Sequence, residues 1–476
     1  MLARAEGTQG RLSTACLRAP TVETVGLRVN WEGATSARLG ALAEVSRAQI
    51  HGERGRPRSQ KLSWPQRRFL FVLGVPAFGL ALAYTIVTTY IPVLLTKLSG
   101  PAITGLLIGA EGLLALVIPL FIGNWSDRVQ TRIGGRFPFM LAGGGISVAA
   151  LILMPLGSGS LTWIAISLAF FFLGYFVYYA PYYALYPDLI PDNIRGRSQG
   201  FQGALRSLGL LIALAGGGVL LSLWRPLPFV IGAAAVAAVT LGLLVRVRYR
   251  VRRDEAESES GRTGKYATTW TLVRRNAAIR NWAIANACWE AAIGSLRTFV
   301  VLYFTMGLGM SLKTTSAALA LVGLSAIVAA PLAGKFGDRY GVYPVMQVAV
   351  WVFAVGLLPT LLTTNEAYIV CIVPVAFAAV VLMTLPYTIL MGLLPDQNGH
   401  GAGAGLFELS RGVGVIVGPL VAGVATAVLD TVGPLSFNET DGYSAIFGVS
   451  SVLLMLSVPF LRRAHSHGWR LQVSSS

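Results

Sequence analysis

Gly123-Asn124-Trp125-Ser126-Asp127-Arg128 ends one apolar run, and Gly334-Lys335-Phe336-Gly337-Asp338-Arg339 ends another 211 residues later. Two more landmarks recur in the same order at an offset of 205: Pro181-Tyr182 as Pro386-Tyr387, and Arg206-Ser207-Leu208-Gly209 as Arg411-Gly412-Val413-Gly414. Ordered landmarks at near-constant spacing mean that one half of the chain repeats the other. The sequence between them is almost wholly apolar, which makes the repeat a duplicated membrane bundle.

Composition agrees. Of 476 residues, 54% are apolar and 12% charged, against about 25% charged in an ordinary soluble protein. A membrane span needs about 20 apolar residues. Twelve runs qualify: 69–95, 102–123, 137–157, 161–186, 199–222, 227–246, 281–306, 314–334, 343–362, 367–392, 403–429 and 443–461. The expected fold is an all-α integral membrane protein, twelve transmembrane helices in two six-helix bundles around a central cavity. The bundles are expected over 67–246 and 279–463. A basic linker covers 247–278, and tails cover 1–66 and 464–476. The first tail is polar and Arg-rich, without a helical apolar face, and reads as disordered.

The net charge of +17 is a topology signal. In the short loops seven basic residues (Arg128, Arg132, Arg136, Arg195, Arg197, Lys335, Arg339) lie on the side of the termini, against Lys97, Arg225 and Lys313 on the other. The positive-inside rule then puts both termini in the cytoplasm. The expected setting is a multi-pass protein of the plasma membrane, a bacterial inner membrane by first expectation, with the lipid bilayer and a small solute as partners, no nucleic acid, and a monomeric state. Cys16, Cys288 and Cys371 are scattered and offer neither a disulfide frame nor metal spacing. No phosphate-binding loop, nucleophile elbow or metal cluster points to an enzyme. No cofactor is expected beyond a proton as coupling ion.

The repeated loop has the chemistry of a latch. Glycine at 123 and 334 lets a helix end approach a neighbour closely. Asp127 and Asp338, with Arg128, Arg136 and Arg339, can pair with charges or helix termini of the opposite half in one conformation and release them in another. Arg206 and Arg411, about two turns inside their spans, either snorkel, join that latch or touch solute.

The motif Gly-x-x-x-Asp-Arg followed by Gly135-Arg136 resembles that of the major facilitator superfamily over residues 67–463. The form Ser126-Asp127-Arg128 to Arg136-Phe137-Pro138-Phe139 is more specifically similar to the sucrose-transporter and cation–glycoside symporter branches. So is Pro181-Tyr182 with Ala184-Leu185, Asp188 and Arg195. The resemblance implies a secondary transporter working by alternating access, with a sugar or glycoside as first expectation. Span 2 has one acid, Glu111, off the position of the paired aspartates of sodium-coupled members. The sucrose branch places Gln-Pro three and four residues before the gate glycine, whereas here Ile118-Pro119 precedes Gly123 by five and four. Neither sodium coupling nor disaccharide specificity follows.

Within the spans, ionisable residues are few: Glu111, Arg206, Glu290, Arg297, Glu408 and Arg411. A mid-membrane charge costs about 2.5–3.5 kcal/mol on insertion scales, so these six should face a cavity or one another. They occur in spans 2, 5, 7 and 11; spans 3, 6, 9 and 12, the outer helices of the family architecture, carry none. Glu290 and Arg297 are seven residues apart, two turns on one face and roughly 10 Å along the axis, a spacing that flanks a ligand or forms a structural pair. Glu290 is the expected proton carrier, with Glu111 as a second site. Glu408 and Arg411 are i,i+3 neighbours. On span 4, Tyr175, Tyr179 and Tyr182 are expected on one stripe facing solute, with Tyr84 and Gln202 as lesser candidates; tyrosine suits both sugar rings and amphipathic drugs. By the 211 offset, Gly79 and Ile86 stand in the first half where Glu290 and Arg297 stand in the second.

The expected function is proton-coupled symport of a small solute. The alternatives are a drug or metabolite–proton efflux antiporter and, remotely, a non-transporting receptor or scaffold. Efflux antiporters carry a Gly-Pro motif in helix 5. Here Gly216-Gly217-Gly218 stands in span 5, and Gly418-Pro419 lies in span 11 instead.

Overall fold

A computed structural model describes residues 22–24, 27–29, 63–129, 131, 135–190, 195–248, 273–274, 276–365, 370–394, 400–430 and 437–474. Its first helix, Trp64–Arg128, is broken at Gly100, where φ is 76° and ψ 173°. Glycine adopts that backbone without steric cost, and Pro101 cannot donate back into the preceding turn. The break makes two spans, α1 (64–99) and α2 (101–128). Ser63 caps α1, its backbone N–H held at 3.0 Å by the Gln66 side chain, and proline follows at the first turn.

The other spans are α3 (Phe137–Leu153), α4 (Leu161–Leu189), α5 (Arg195–Leu223), α6 (Leu227–Arg246), α7 (Ala277–Leu302), α8 (Leu312–Tyr340), α9 (Val342–Gly356), α10 (Ile372–Thr384), α11 (His400–Leu429) and α12 (Ala445–Ser474). A π-turn, Tyr303–Gly307, extends α7, while Leu358–Leu362 and Pro386–Leu393 continue α9 and α10 past short breaks. The twelve expected spans are therefore present. Asn276 caps α7 by accepting the N–H groups of Ala278 and Ile279 at 2.9 and 3.2 Å. The outward faces are apolar: Leu106, Leu113, Phe121, Ile166, Phe170 and Val452 are all exposed. Water would penalise such a belt, whereas lipid does not.

Outside the bundles there are two differences from expectation. The first tail contains strands β1 (Val22–Thr24) and β2 (Leu27–Val29), which pair with each other and, through β1, with β3 (Val247–Arg248) at the end of α6. The last helix runs on to Ser474, through the segment expected as a loose tail; extending a formed helix fixes one residue per hydrogen bond and needs no new nucleus. The remainder of 1–62 and most of 249–275 lie outside the described residues.

The repeat is visible as pseudo-symmetric packing. Gly209 on α5 lies against the Phe78 carbonyl and Leu82 amide of α1; Gly414 on α11 lies against the Ala287 carbonyl and Ala291 amide of α7. Tyr182 donates to the Leu73 carbonyl at 2.9 Å, tying α4 to α1, and the Trp282 indole donates to the Pro386 carbonyl at 3.1 Å, tying α7 to α10. Phe78 thus corresponds to Ala287, and Leu73 to Trp282, a shift of 209 residues rather than 211. The first-half counterparts of Glu290 and Arg297 are therefore Ala81 and Thr88, not Gly79 and Ile86. The connection between the first two spans is longer in the second half, where residues 303–311 stand against the single break at Gly100, so the gate motif overstates the offset for α1 and α7.

The bundles meet on the side away from the termini, here called the far side. Glycine brings backbones together there: a Cβ at Gly105 would lie 2.2 Å from the Pro419 carbonyl oxygen, at Gly109 2.9 Å from that of Ile416, and at Gly112 2.6 Å from that of Gly412. This welds α2 to α11. Across α5 and α8, a Cβ at Gly218 would lie 2.6 Å from the Leu312 carbonyl oxygen, and one at Gly323 2.7 Å from the Leu211 Cα. On the termini side, Gly123, Gly200, Gly203 and Gly334 have nothing within 4 Å of a built Cβ among the described residues. The space between the bundles is closed on the far side and open toward the termini.

Candidate functional site

The inner end of that space is a three-residue centre that joins the bundles. Glu111 on α2 is 2% exposed and pairs with Arg297 on α7 at 3.3 Å. Tyr84 on α1 donates its hydroxyl proton to the other Glu111 oxygen and accepts from the Arg297 guanidinium. The same guanidinium stands 5.0 Å from the centre of the Tyr84 ring, a cation–π geometry. Buried charges are tolerable when paired and hydrogen-bonded, and each member here meets that condition through a residue of another helix. Farther toward the far side, the Tyr90 hydroxyl donates to the Leu214 carbonyl at 3.0 Å and lies 3.3 Å from the Ser316 hydroxyl, which accepts the Gly218 N–H at 2.9 Å. Tyr90 and Ser316 close the α1–α5–α8 junction. Single hydroxyls in apolar runs gave no signal in the sequence.

Toward the termini lies a second charged group. Arg411 on α11 is 3.3 Å from Glu408 and 3.9 Å from Glu290 on α7. Glu290 packs against Gly414, whose built Cβ would be 2.6 Å from the Glu290 Cβ. Asn286 and Ser410 bond at 2.9 Å, and Ser295 donates to the Gly418 carbonyl at 2.9 Å, so α7 and α11 form one rigid wall. Glu290 and Arg297 thus share a face, as the spacing predicts, yet each is neutralised by a different helix: Glu290 inside its own bundle, Arg297 across to α2.

The tyrosines of α4 make a ladder. Tyr175 and Tyr179 stack with centroids 5.8 Å apart, Tyr179 and Tyr183 at 4.1 Å, and Tyr84 meets Tyr175 at 5.0 Å. The stripe is 175–179–183, with half-buried rings. Tyr182, expected on it, is fully buried instead, with its hydroxyl on α1 and 3.0 Å from that of Tyr186. The spacing i,i+4,i+7 and the spacing i,i+4,i+8 both fit one helical face; the neighbouring helix decides between them. Arg206 on α5 is exposed, and Tyr183, Tyr179, Tyr175 and the cation Arg411 act on it electrostatically. Gln202, one turn earlier, is buried, and its side-chain nitrogen has no hydrogen-bond partner among the described residues.

The expected gate loop is covered in part. Arg136 is 7% exposed, and Arg339 stands over the Tyr340 ring at 5.3 Å. The side chains of Asp127, Arg128 and Asp338 lie outside the described residues. Arg411, expected as a latch partner for such aspartates, is engaged by Glu290 and Glu408.

The sequence profile of the Major Facilitator Superfamily matches residues 73–328 and 298–472. The fold is similar to that of a bacterial homolog of the human lysosomal transporter Spinster in its inward-facing, unoccupied conformation. That match has TM-score 0.68 and 17% identity, covering 86% of this chain and 99% of the other. It is also similar to the nucleoside transporter NupG, with TM-score 0.64 and 14% identity, covering 82% of this chain and 98% of the other. No curated protein matches the sequence.

Proposed function

The chain belongs to the major facilitator superfamily, a multi-pass membrane transporter fold, and from that membership we propose a proton-coupled carrier that moves a small solute by alternating access. The observation that carries the coupling is the Glu111–Arg297 pair at 3.3 Å, which joins α2 of one bundle to α7 of the other. Protonating Glu111 removes the charge that holds Arg297, and the contact between bundles weakens at that point. Tyr84 holds the carboxylate by donating its hydroxyl proton to it, and so fixes its position beside Arg297. Glu290, beside the opening and 3.9 Å from Arg411, is the second carboxylate in line. Basic loops and both termini face the cytoplasm in this reading, so the described state opens inward. Solute enters or leaves between α4, α5, α7 and α11.

The sugar or glycoside expectation rests on the gate-motif resemblance, and the tyrosine ladder accommodates a sugar ring. An antiporter would use the same residues with the opposite sign of flux. The test uses the purified chain in liposomes with an imposed pH gradient and a panel of labelled glycosides and ring-bearing acids. Gradient-driven accumulation of one solute, lost in Glu111→Gln, is the expected result. Gradient-driven expulsion would assign antiport. A pH gradient without effect on any solute that exchanges would overturn the coupling.

A further inference from the structure

We propose that the space between the bundles takes a small organic anion with a flat ring, its acid group on Arg206 and its ring on the Tyr175–Tyr179–Tyr183 ladder. The proposal rests on the transporter reading and adds the charge and shape of the solute.

Arg206, Arg297 and Arg411 are the arginines among the six ionisable residues within the spans. Arg297 is matched by Glu111 at 3.3 Å, and Arg411 by Glu408 at 3.3 Å and Glu290 at 3.9 Å. Arg206 has no carboxylate within ion-pair distance among the described residues. The duplication accounts for this: the counterparts of Glu290 and Glu408 in the first half are Ala81 and Gly203. One arginine of the repeated pair kept its acids, and the other faces the opening without any. An arginine inside a helical bundle that pairs with no protein acid is the group a solute acid would complete.

The surroundings set the rest of the chemistry. Tyr183, Tyr179 and Tyr175 all act electrostatically on Arg206, as does the cation Arg411. A guanidinium binds a carboxylate through two parallel N–H groups. A flat ring attached to that carboxylate would lie along the ladder, whose centroids are 5.8 and 4.1 Å apart. Gln202 lies one turn from Arg206, at i,i+4 on the same face of α5. Its side-chain N–H₂ is buried without a partner among the described residues, and it supplies a further donor for an acid oxygen. A neutral sugar would leave Arg206 without a counter-charge.

The test is a matched series on the purified full chain: benzoate, nicotinate and indole-3-acetate, each against its neutral amide, by thermal shift and equilibrium binding. At least one acid should stabilise the protein while its amide does not, since a ligand of the folded state raises the melting temperature. Arg206→Gln should weaken that acid at least tenfold, and Arg206→Lys should restore part of the affinity. Equal stabilisation by acid and amide overturns the proposal, as does undiminished acid binding in Arg206→Gln. If that variant does not fold, Tyr183→Ala replaces it, and unchanged acid affinity there has the same force. If no acid binds but a neutral glycoside does, the anion assignment fails and the transporter reading stands. If bound solutes show no counterflow in liposomes, the transporter reading is what fails.

Discussion

Glu111 and Arg297 belong to different halves of the chain and meet at 3.3 Å, with the hydroxyl of Tyr84 bonded to both. The pair stands where the open space ends and the glycine-lined contact of α2 with α11 begins. A charge pair at that place depends on the relative position of the bundles in a way that a pair within one bundle, such as Glu290–Arg411, does not.

Glu111→Gln should therefore do two things. It should lower stability by about 1–3 kcal/mol, because half-buried Arg297 is left without its counter-charge, and it should uncouple transport from the pH gradient. Adding Arg297→Gln should recover much of the stability and none of the coupling. Melting curves in detergent and gradient-driven uptake in liposomes measure the two effects separately; coupling that survives the single substitution contradicts the assignment.

Gly112→Leu should prevent closure of the far side. A side chain there begins 2.6 Å from the Gly412 carbonyl oxygen and 2.6 Å from the Ile416 side chain, and overpacking of this kind costs about 1–3 kcal/mol. Because the clash exists only when α2 and α11 touch, the substitution should shift the population toward the conformation open on the far side. Labelling of cysteines placed in each opening should show increased access from the far side and decreased access from the termini side. An unchanged pattern would sink the idea.

Gly334→Trp should act in the opposite sense. Among the described residues nothing lies within 4 Å of a Cβ built at Gly334, so the described conformation should accept the larger residue with a melting temperature close to the parent's. Closing the termini side requires that space. Turnover should fall tenfold or more while ligand affinity measured from the termini side is kept, and normal turnover would show that the α8 end does not approach its neighbour.

Tyr182→Phe and Tyr179→Ala should separate scaffold from site. The first removes a buried hydroxyl that donates to the Leu73 carbonyl at 2.9 Å, a loss of about 1–3 kcal/mol of stability with ligand affinity unchanged. The second opens the middle of the ladder and should weaken any ring-bearing ligand by tenfold or more. Equal effects on affinity would place both tyrosines in the site.

Much of this architecture was legible in the chain itself. Apolar run length fixed the number of spans, because a bilayer core of constant thickness demands about 20 residues per crossing. Lys and Arg placement indicated sidedness, and the recurrence of Gly123 to Arg128, Pro181-Tyr182 and Arg206 to Gly209 divided the chain into halves. The cost of charge in lipid was enough to single out Glu111, Arg206, Glu290, Arg297, Glu408 and Arg411.

Partnership was not legible, and the reason is geometric. Helical periodicity states which residues share a face of their own helix, but not which helix lies opposite each turn. Glu290 and Arg297 share a face of α7, yet α11 stands against the first and α2 against the second. Tyr182 and Tyr183 differ by one position, and the approach of α1 buries one and leaves the other on the ladder. The same holds for the repeat: the gate loop set an offset of 211, while the contacts of Gly209 and Gly414 set 209 for α1 and α7, because loops lengthen freely and packed helices do not. The sequence determined the spans, the duplication and the charges that needed partners. The tertiary structure decided which arginines found them within the protein and left Arg206 facing the opening.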